Sequence, residues 1–134
     1  ISLVERYNLT KKIHFIQHCK EMPLAYSLAD VVVSASIEPE AFGRVAVESQ
    51  SMGKPIIASN IGGSKETILN KKSGFLYKHD DPRELAKNLN TVIQLNQEEL
   101  KLMGNEGRKN VTKKFDVDSM CDSNLREYKK LLVK

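Results

Sequence analysis

The sequence has no tryptophan and only two cysteines, and aromatic residues make up 6% of it. Cys19 and Cys121 lie far apart with no Cys-x-x-Cys pair, and the histidines do not cluster, so neither a disulfide framework nor a zinc site is indicated. We therefore expect two free thiols in a reducing cytoplasm. No apolar run approaches the roughly 20 residues that span a bilayer, so membrane insertion is not indicated.

The positive charge is small and dispersed along the chain. Twenty-one Lys and Arg against seventeen Asp and Glu give a net charge of +4, which suits a phosphate-bearing ligand or an anionic membrane surface. Nucleic-acid binding is not indicated, because no basic helix stripe or aromatic stacking platform accompanies the bases. The length of 134 residues and the hydrophobic fraction of 40% are typical of about one globular domain.

Four short apolar segments predict strands, and they alternate with helical segments. Lys12–Gln17 has strand length with β-branched and aromatic residues, and 30–36, 54–59 and 74–77 follow it. The two middle segments are nearly continuously apolar, as in strands buried on both faces of a parallel sheet. This order predicts a layered α/β domain with flanking helices. The loops after Ser36 and Ser59 then share the sheet edge at which such folds bind ligands.

Capping residues and apolar periodicity predict the helices. Pro23 suits the first turn of one helix, Gly53 ends another in a left-handed conformation, and Asp81 caps a third. The helical segments are 2–7, 23–29, 43–52, a short one from 64 or 65, 82–95, 97–115 and 119–133. The apolar face predicted for the helix that starts at residue 82 consists of Leu85, Leu89, Val92 and Ile93.

The segment from Glu40 to Glu48 has the composition of a binding site. It contains two carboxylates with seven residues between them, one of which is Gly43. A glycine lets the backbone approach a ligand closely, and the amides after it begin a helix, where unsatisfied N–H groups and the helix dipole favour oxyanions. This arrangement fits a ligand with a charged middle and hydroxyl groups at both ends.

Four stretches of sequence carry a recognisable pattern in a fixed order. They are Asp30-Val-Val-Val-Ser-Ala-Ser-Ile-Glu-Pro-Glu-Ala-Phe-Gly-Arg-Val-Ala-Val-Glu48, Met52-Gly-Lys-Pro-Ile-Ile-Ala, Gly62-Gly and Gly74-Phe-Leu. Together they resemble the C-terminal half of a retaining GT-B glycosyltransferase of the family 4, or group 1, type. The resemblance covers nearly the whole chain, and it implies a Rossmann-like parallel sheet with flanking helices that forms half of a GT-B architecture.

The resemblance implies roles for particular residues. Glu40 would face the donor sugar as the catalytic residue, and Glu48 would accept hydrogen bonds from the ribose hydroxyls of the nucleotide. The backbone between them would meet the sugar and the distal phosphate, so the further donor-binding candidates are Ala41, Phe42, Gly43, Arg44 and Val45. His18, near the nucleobase, and Gly62, Gly63 and Glu66 are candidate contacts in the cleft. No metal site is expected.

The implied reaction transfers a sugar from a UDP-, GDP- or ADP-sugar substrate to an acceptor hydroxyl, with retention at the anomeric carbon and without a cofactor. The two glutamates would not form the nucleophile and acid pair of a glycosidase. The site would instead stabilise the charge that develops on the leaving diphosphate. Bacterial lipopolysaccharide or capsule is the expected product, and a storage glucan or small glycoside lies within the same class. The alternative function is a non-catalytic nucleotide-sugar-binding module.

The resemblance also implies that the chain is part of a larger protein. Such donor domains normally begin with a further strand, helix and strand carrying an Arg and a Lys that clamp the diphosphate, and nothing before Ile1 supplies them. We expect residues 1–134 to be a partial C-terminal domain, truncated at its N-terminus and inactive alone. The full protein is expected to be cytoplasmic, to associate peripherally with the inner face of the membrane, and to bind an acceptor glycan or glycolipid through the missing N-terminal domain.

Simpler explanations exist for the same residues. Glu48 could be a solvated acid on an amphipathic helix, although an unpaired charge among its small and apolar neighbours would be costly. Glu40 could lie in an exposed acidic turn, and Arg44 could face solvent. Phe42 could close its loop against the core, and the glycines at 43, 62 and 63 could serve only as turn residues.

Overall fold

The computed structural model describes residues 2–132, in which helices and strands alternate before a final run of three helices. The strands are β1 (Val32–Ser34), β2 (Ile56–Ser59) and β3 (Gly74–Tyr77). The helices are α1 (Leu3–Arg6), α2 (Met22–Leu28), α3 (Arg44–Ser51), α4 (Ser64–Thr67), α5 (Pro82–Ile93), α6 (Gln97–Lys114) and α7 (Val117–Leu132).

The strands form one parallel sheet in the order β1-β2-β3. Val33 lies opposite Ile57, and Ile57 lies opposite Phe75. Parallel neighbours require crossover connections, and helices supply them on the way from each strand to the next. The predicted α/β fold class with a parallel sheet is therefore confirmed.

The central strand separates two apolar clusters, because successive side chains of a strand point to opposite faces. On one face, Ile56 and Ala58 pack with Ala46 of α3. On the other face, Ile57 packs with Tyr77 and with Val92 of α5. All four residues of β2 are buried, as the continuous apolar pattern predicts for a strand covered on both sides.

The predicted first strand is wrong. Residues 12–17 form no strand, and Phe15 and Ile16 are 81% and 79% exposed. A β-branched and aromatic pattern favours an extended chain, but a strand forms only where a neighbouring strand offers backbone hydrogen bonds. Among residues 2–132, this segment pairs with no other strand. The sheet therefore has three strands rather than four.

The helix boundaries largely follow the capping residues. Asp81 Oδ1 accepts hydrogen bonds from the Arg83 and Glu84 amides, which confirms it as the cap of α5. The apolar face predicted for α5 is wrong at its end, because Ile93 is exposed while Val92 is buried. Ile93 is adjacent to Val92, so a helical turn of about 100° carries it away from the sheet.

The last helix begins two residues earlier than predicted. Asp116 Oδ1 accepts a hydrogen bond from the Ser119 amide, so α7 starts at Val117 rather than at Ser119. Its predicted end at Val133 lies outside the described residues. No helix within residues 2–132 combines the length and apolar character needed to cross a membrane.

Candidate functional site

The two loops predicted to share a crevice do lie side by side at the carboxyl edge of the sheet. The Gly63 amide donates a hydrogen bond to the Glu40 carbonyl oxygen at 2.9 Å. A Cβ atom added to Gly62 would collide with the Glu40 backbone, and one added to Gly63 would collide with the Phe42 backbone. Glycine is required at both positions because the loops touch, and contact of this pair with a ligand stays a prediction.

Gly43 ends the first loop and begins α3. Its backbone is left-handed, with φ 77° and ψ 56°, a conformation that favours glycine. No side chain among the described residues caps this helix end. The first N–H groups of α3 therefore face the loop without a side-chain acceptor, as at helix N-termini that bind anions.

Glu40 is half-buried and anchored by a neighbouring hydroxyl. Ser36 Oγ, between β1 and the loop, donates a hydrogen bond to Glu40 Oε1. This contact fixes the carboxylate beside the start of α3, so Glu40 is not the freely solvated acid of an exposed turn. Its role as the catalytic residue stays a prediction.

Phe42 joins the first loop to the end of α6. Its ring meets that of Phe115 edge to face, with the centroids 5.5 Å apart and the planes at 80°. The Phe42 side chain is also exposed, so it does not fill the core. Ala41 beside it is exposed, whereas Val45 packs against the apolar cluster beneath α3. The Val45 side chain is therefore directed into the domain, and its predicted contact with a ligand at the loop would involve its backbone.

Glu48 lies on α3 and is held by two donors. Tyr26 Oη donates a hydrogen bond to Glu48 Oε2 at 3.0 Å, and the Arg44 guanidinium donates one to Oε1 at 3.2 Å. The Glu48 side chain is 38% exposed and that of Arg44 is 83% exposed. Glu48 is therefore neither unpaired nor a simple solvated acid, and Arg44 turns towards this carboxylate.

Tyr26 is a site residue that the sequence did not predict. Burial and, after it, the hydrogen bond to Glu48 and the negative charge of Glu48 raise the pKa of Tyr26 to about 12, while the positive charge of Arg44 acts in the opposite direction. The residue precedes Glu48 by 22 positions. The only sequence signal was a tyrosine in the helix before a buried strand, and this does not identify its partner.

A cavity of about 370 Å³ opens next to this pair. Its lining includes Lys20, Met22, Pro23 and Met52 together with Tyr26 and Glu48. Arg44 also lines it, so the cavity combines apolar side chains with one anionic and two cationic side chains. Such a surface can accept a flat or partly apolar group whose hydroxyls reach the carboxylate.

Two of the predicted cleft contacts have exposed side chains. His18 is exposed in the loop before α2, and Glu66 is exposed on α4. The structure gives neither side chain a hydrogen bond to Glu40 or Glu48. Within residues 2–132, no three His, Cys, Asp or Glu side chains come together as metal ligands would.

Comparison with known proteins gives a consistent result. The family described as "Glycosyl transferases group 1" matches residues 1–110. Spore coat protein SA of Bacillus subtilis is 30% identical over 121 residues, which cover 88% of this chain and 32% of that protein. The capsular polysaccharide biosynthesis glycosyltransferase CapM of Staphylococcus aureus is also 30% identical, over 84% of this chain and 31% of CapM.

Solved structures of GT-B glycosyltransferases share the fold of this chain. A glycosyltransferase from Rickettsia africae superposes with a TM-score of 0.91 at 34% identity, over 98% of this chain and 35% of that one. Anabaena HepE, solved in complex with UDP and glucose, gives 0.87 at 27% identity, over 95% and 34% of the two chains. The chain thus spans about a third of the length of the relatives that it matches. Both the matched sequence and the matched fold show that the chain belongs to the group 1 glycosyl transferase family.

Proposed function

We propose that residues 1–134 form the donor-binding part of a retaining glycosyltransferase that takes a nucleoside diphosphate sugar. The observation that carries this proposal is the arrangement around α3. Glu40 lies before the N-terminus of α3, which has no side-chain cap, and Glu48 lies about one turn inside that helix. A nucleoside diphosphate sugar presents its groups in the same order, which is the sugar, the diphosphate and the ribose.

In this proposal the backbone amides that follow Gly43 act on the diphosphate. Preorganised N–H groups stabilise the negative charge that the leaving diphosphate gains as the bond to the sugar breaks. Glu40 contacts the transferred sugar, and Glu48 accepts hydrogen bonds from the ribose. HepE, which has the same fold over most of this chain, was solved with UDP and glucose, and this supports a nucleotide-sugar ligand.

The wider role is part of the same proposal. CapM is named as a capsular polysaccharide biosynthesis glycosyltransferase, which supports synthesis of a bacterial envelope glycan. The proposed location of this synthesis is the cytoplasmic face of the membrane. The acceptor and the remaining diphosphate contacts would be provided by chain outside these residues, so transfer is expected only in the intact protein. A module that binds the donor without transferring its sugar is the other outcome of the test.

Binding and transfer can be measured separately in the intact protein. UDP, GDP and ADP sugars are titrated by calorimetry, and sugar transfer is followed with a labelled donor. Glu48→Gln should weaken nucleotide binding by about 1–3 kcal/mol, because it removes charge-assisted hydrogen bonds to the ribose. Glu40→Ala should retain nucleotide affinity and lose transfer.

The control is Glu98→Gln, which makes the same change at an exposed position at the start of α6. It should leave both binding and transfer unchanged. Absence of binding to all three donors would overturn the donor site. Donor binding without transfer to any acceptor would favour the binding module, whereas full transfer by Glu40→Ala would overturn only the catalytic role of Glu40.

A further inference from the structure

Tyr26 joins α2 to Glu48 of α3 through a hydrogen bond. It is the buried residue of α2, with 5% exposure, and its hydroxyl donates a hydrogen bond to Glu48 Oε2 at 3.0 Å. Leu24 and Leu28 of the same helix are exposed. The buried side chain of this helix is therefore the one that donates to the carboxylate.

The two existing donors leave Glu48 with a defined remaining capacity. Each carboxylate oxygen can accept two hydrogen bonds. Tyr26 occupies one site on Oε2 and Arg44 occupies one site on Oε1. One acceptor site then remains on each oxygen, on a side chain that is 38% exposed beside the cavity. Two hydroxyl donors on adjacent carbons match these two remaining sites.

The two donors differ in how firmly they can orient the carboxylate. Arg44 is 83% exposed, and an exposed ion pair within one helix contributes little because water and salt screen it. The Tyr26 side chain is 5% exposed and belongs to a different helix, so water and salt compete less for its hydrogen bond to Glu48. Tyr26 rather than Arg44 therefore determines which way Glu48 points.

We propose that Tyr26 is a positioning residue that orients Glu48 for the vicinal diol of a ribose, so that the site discriminates between ribonucleoside diphosphates and nucleotides without that diol. This proposal rests on the donor-binding function proposed above. Tyr26 does not touch the ligand's reacting atoms. It acts through Glu48, by keeping one lone pair on each carboxylate oxygen directed into the cavity.

The hydroxyl can fill this role over the whole physiological pH range. Burial and the neighbouring Glu48 raise the pKa of Tyr26 to about 12. Tyr26 therefore stays protonated as a hydrogen-bond donor and never brings a second negative charge to the carboxylate. Lys20 and Arg44 are the cationic side chains that line the cavity beside the pair.

The test compares nucleotides with and without the diol in the intact protein. UDP, GDP and ADP are each titrated together with their 2′,3′-dideoxy counterparts, and the affinity ratio within each pair is recorded. Tyr26→Phe keeps the ring and removes the hydroxyl. It should reduce the preference for the ribose form by about three- to tenfold, the range expected for one hydrogen bond. Affinity for the dideoxy form should stay the same.

Two further variants make the result specific. Tyr77→Phe removes a hydroxyl from an equally buried tyrosine on β3, which packs in the other cluster, and should leave the ratio unchanged. Glu48→Gln should reduce the ratio at least as much as Tyr26→Phe. The double variant should match Glu48→Gln alone, because residues that act through one group are not additive.

A second measurement leaves Tyr26 intact and so does not depend on how its variant folds. Tyrosinate absorbance is followed against pH in the wild type and in Glu48→Gln. The pKa of Tyr26 should fall in the variant, because Glu48 no longer contributes its negative charge. An unchanged titration would overturn the contact on which the proposal depends.

The outcomes distinguish the positioning role of Tyr26 from the donor-binding function on which it depends. If none of the three nucleotides binds, the donor-binding function fails and this proposal fails with it. If the wild type prefers the ribose form and Glu48→Gln removes the preference, the function stands. In that case, a Tyr26→Phe protein that weakens both forms equally, or keeps the full ratio, shows a structural role and overturns the positioning role.

Discussion

The centre of the molecule and its two ends differ in how their apolar side chains are covered. In the centre, the β2 residues Ile56, Ile57 and Ala58 have no exposed surface. Near the ends, Phe15, Ile16, Leu131 and Leu132 are all largely exposed. All of these side chains are apolar, so the difference lies in the packing partners that residues 2–132 provide for them.

The site belongs to the well-packed centre. Gln50 of α3 and Asn110 of α6 both donate hydrogen bonds to the Thr67 carbonyl oxygen, each at 3.0 Å, and so join α3, α4 and α6 at one buried point. The loops that carry Glu40 and Gly62 rest on these helices. A carboxylate can keep one orientation only if its supporting elements are rigid. The candidate site therefore lies on the well-packed centre of the molecule and not at its exposed ends.

The largest expected effect comes from opening a cavity in the centre. Ile57→Ala removes a fully buried side chain, and substitutions of this kind cost about 2–5 kcal/mol of unfolding free energy. Leu131→Ala on α7 removes a similar volume from an exposed position and should change stability by less than about 0.5 kcal/mol. Denaturant unfolding of both variants measures the difference. Equal losses would show that α7 is as well packed as β2 and would remove the contrast.

A smaller effect is expected where two helices touch. A Cβ atom at Gly104 of α6 would overlap the Gly53 carbonyl oxygen beyond the end of α3. Helix propensity alone predicts that Gly104→Ala stabilises the protein by about 1 kcal/mol. Overpacking should reverse this sign and cost about 1–3 kcal/mol, because α6 must move away from α3.

The neighbouring substitution Asn105→Ala provides the control for this helix contact. Asn105 is exposed on the same helix, so its replacement should be neutral or slightly stabilising in the same unfolding experiment. If Gly104→Ala also stabilises the protein, the close approach of α6 to the end of α3 is not a constraint on the fold.

Local features of the sequence predicted most of the fold. Asp81 caps its helix, Gly53 adopts the predicted left-handed conformation, and β3 has the predicted bounds. Each of these depends on a few adjacent residues. The strand predicted at Lys12–Gln17 failed because strand formation needs a second segment, and a local pattern carries no information about whether that segment is present.

The features of the candidate site also divide into those that one stretch of sequence predicts and those that only the fold reveals. The Glu40 to Glu48 spacing and the glycine at the start of α3 were readable, because they follow from one continuous stretch. The contact of Tyr26 with Glu48 and the packing of Gly62 and Gly63 on the first loop join separate stretches. Only the fold brings these groups together, so the sequence could name the carboxylates but not the groups that hold them.

The smallest expected effect is local and concerns the start of α7. Hydrogen bonds from Ser119 lower the pKa of Asp116 below its ordinary value of 3.8. A carboxylate with a lowered pKa in the folded protein stabilises it above the ordinary value, and this contribution is lost as the pH falls through the lowered pKa. Because α7 has no buried side chain among its described residues, acid should loosen this helix without opening the centre.

Amide hydrogen exchange, expressed relative to the unfolded-chain rate at each pH, tests this separation of the end from the centre. Protection in the first turns of α7 should fall below about pH 4, whereas the β2 amides should stay protected. Asp116→Asn keeps an oxygen acceptor for the Ser119 amide and should abolish the pH dependence, while Asp122→Asn further along α7 should retain it. Simultaneous loss of protection in α7 and β2 would mean that the end unfolds only with the centre, and the contrast between them would then be one of exposure rather than of stability.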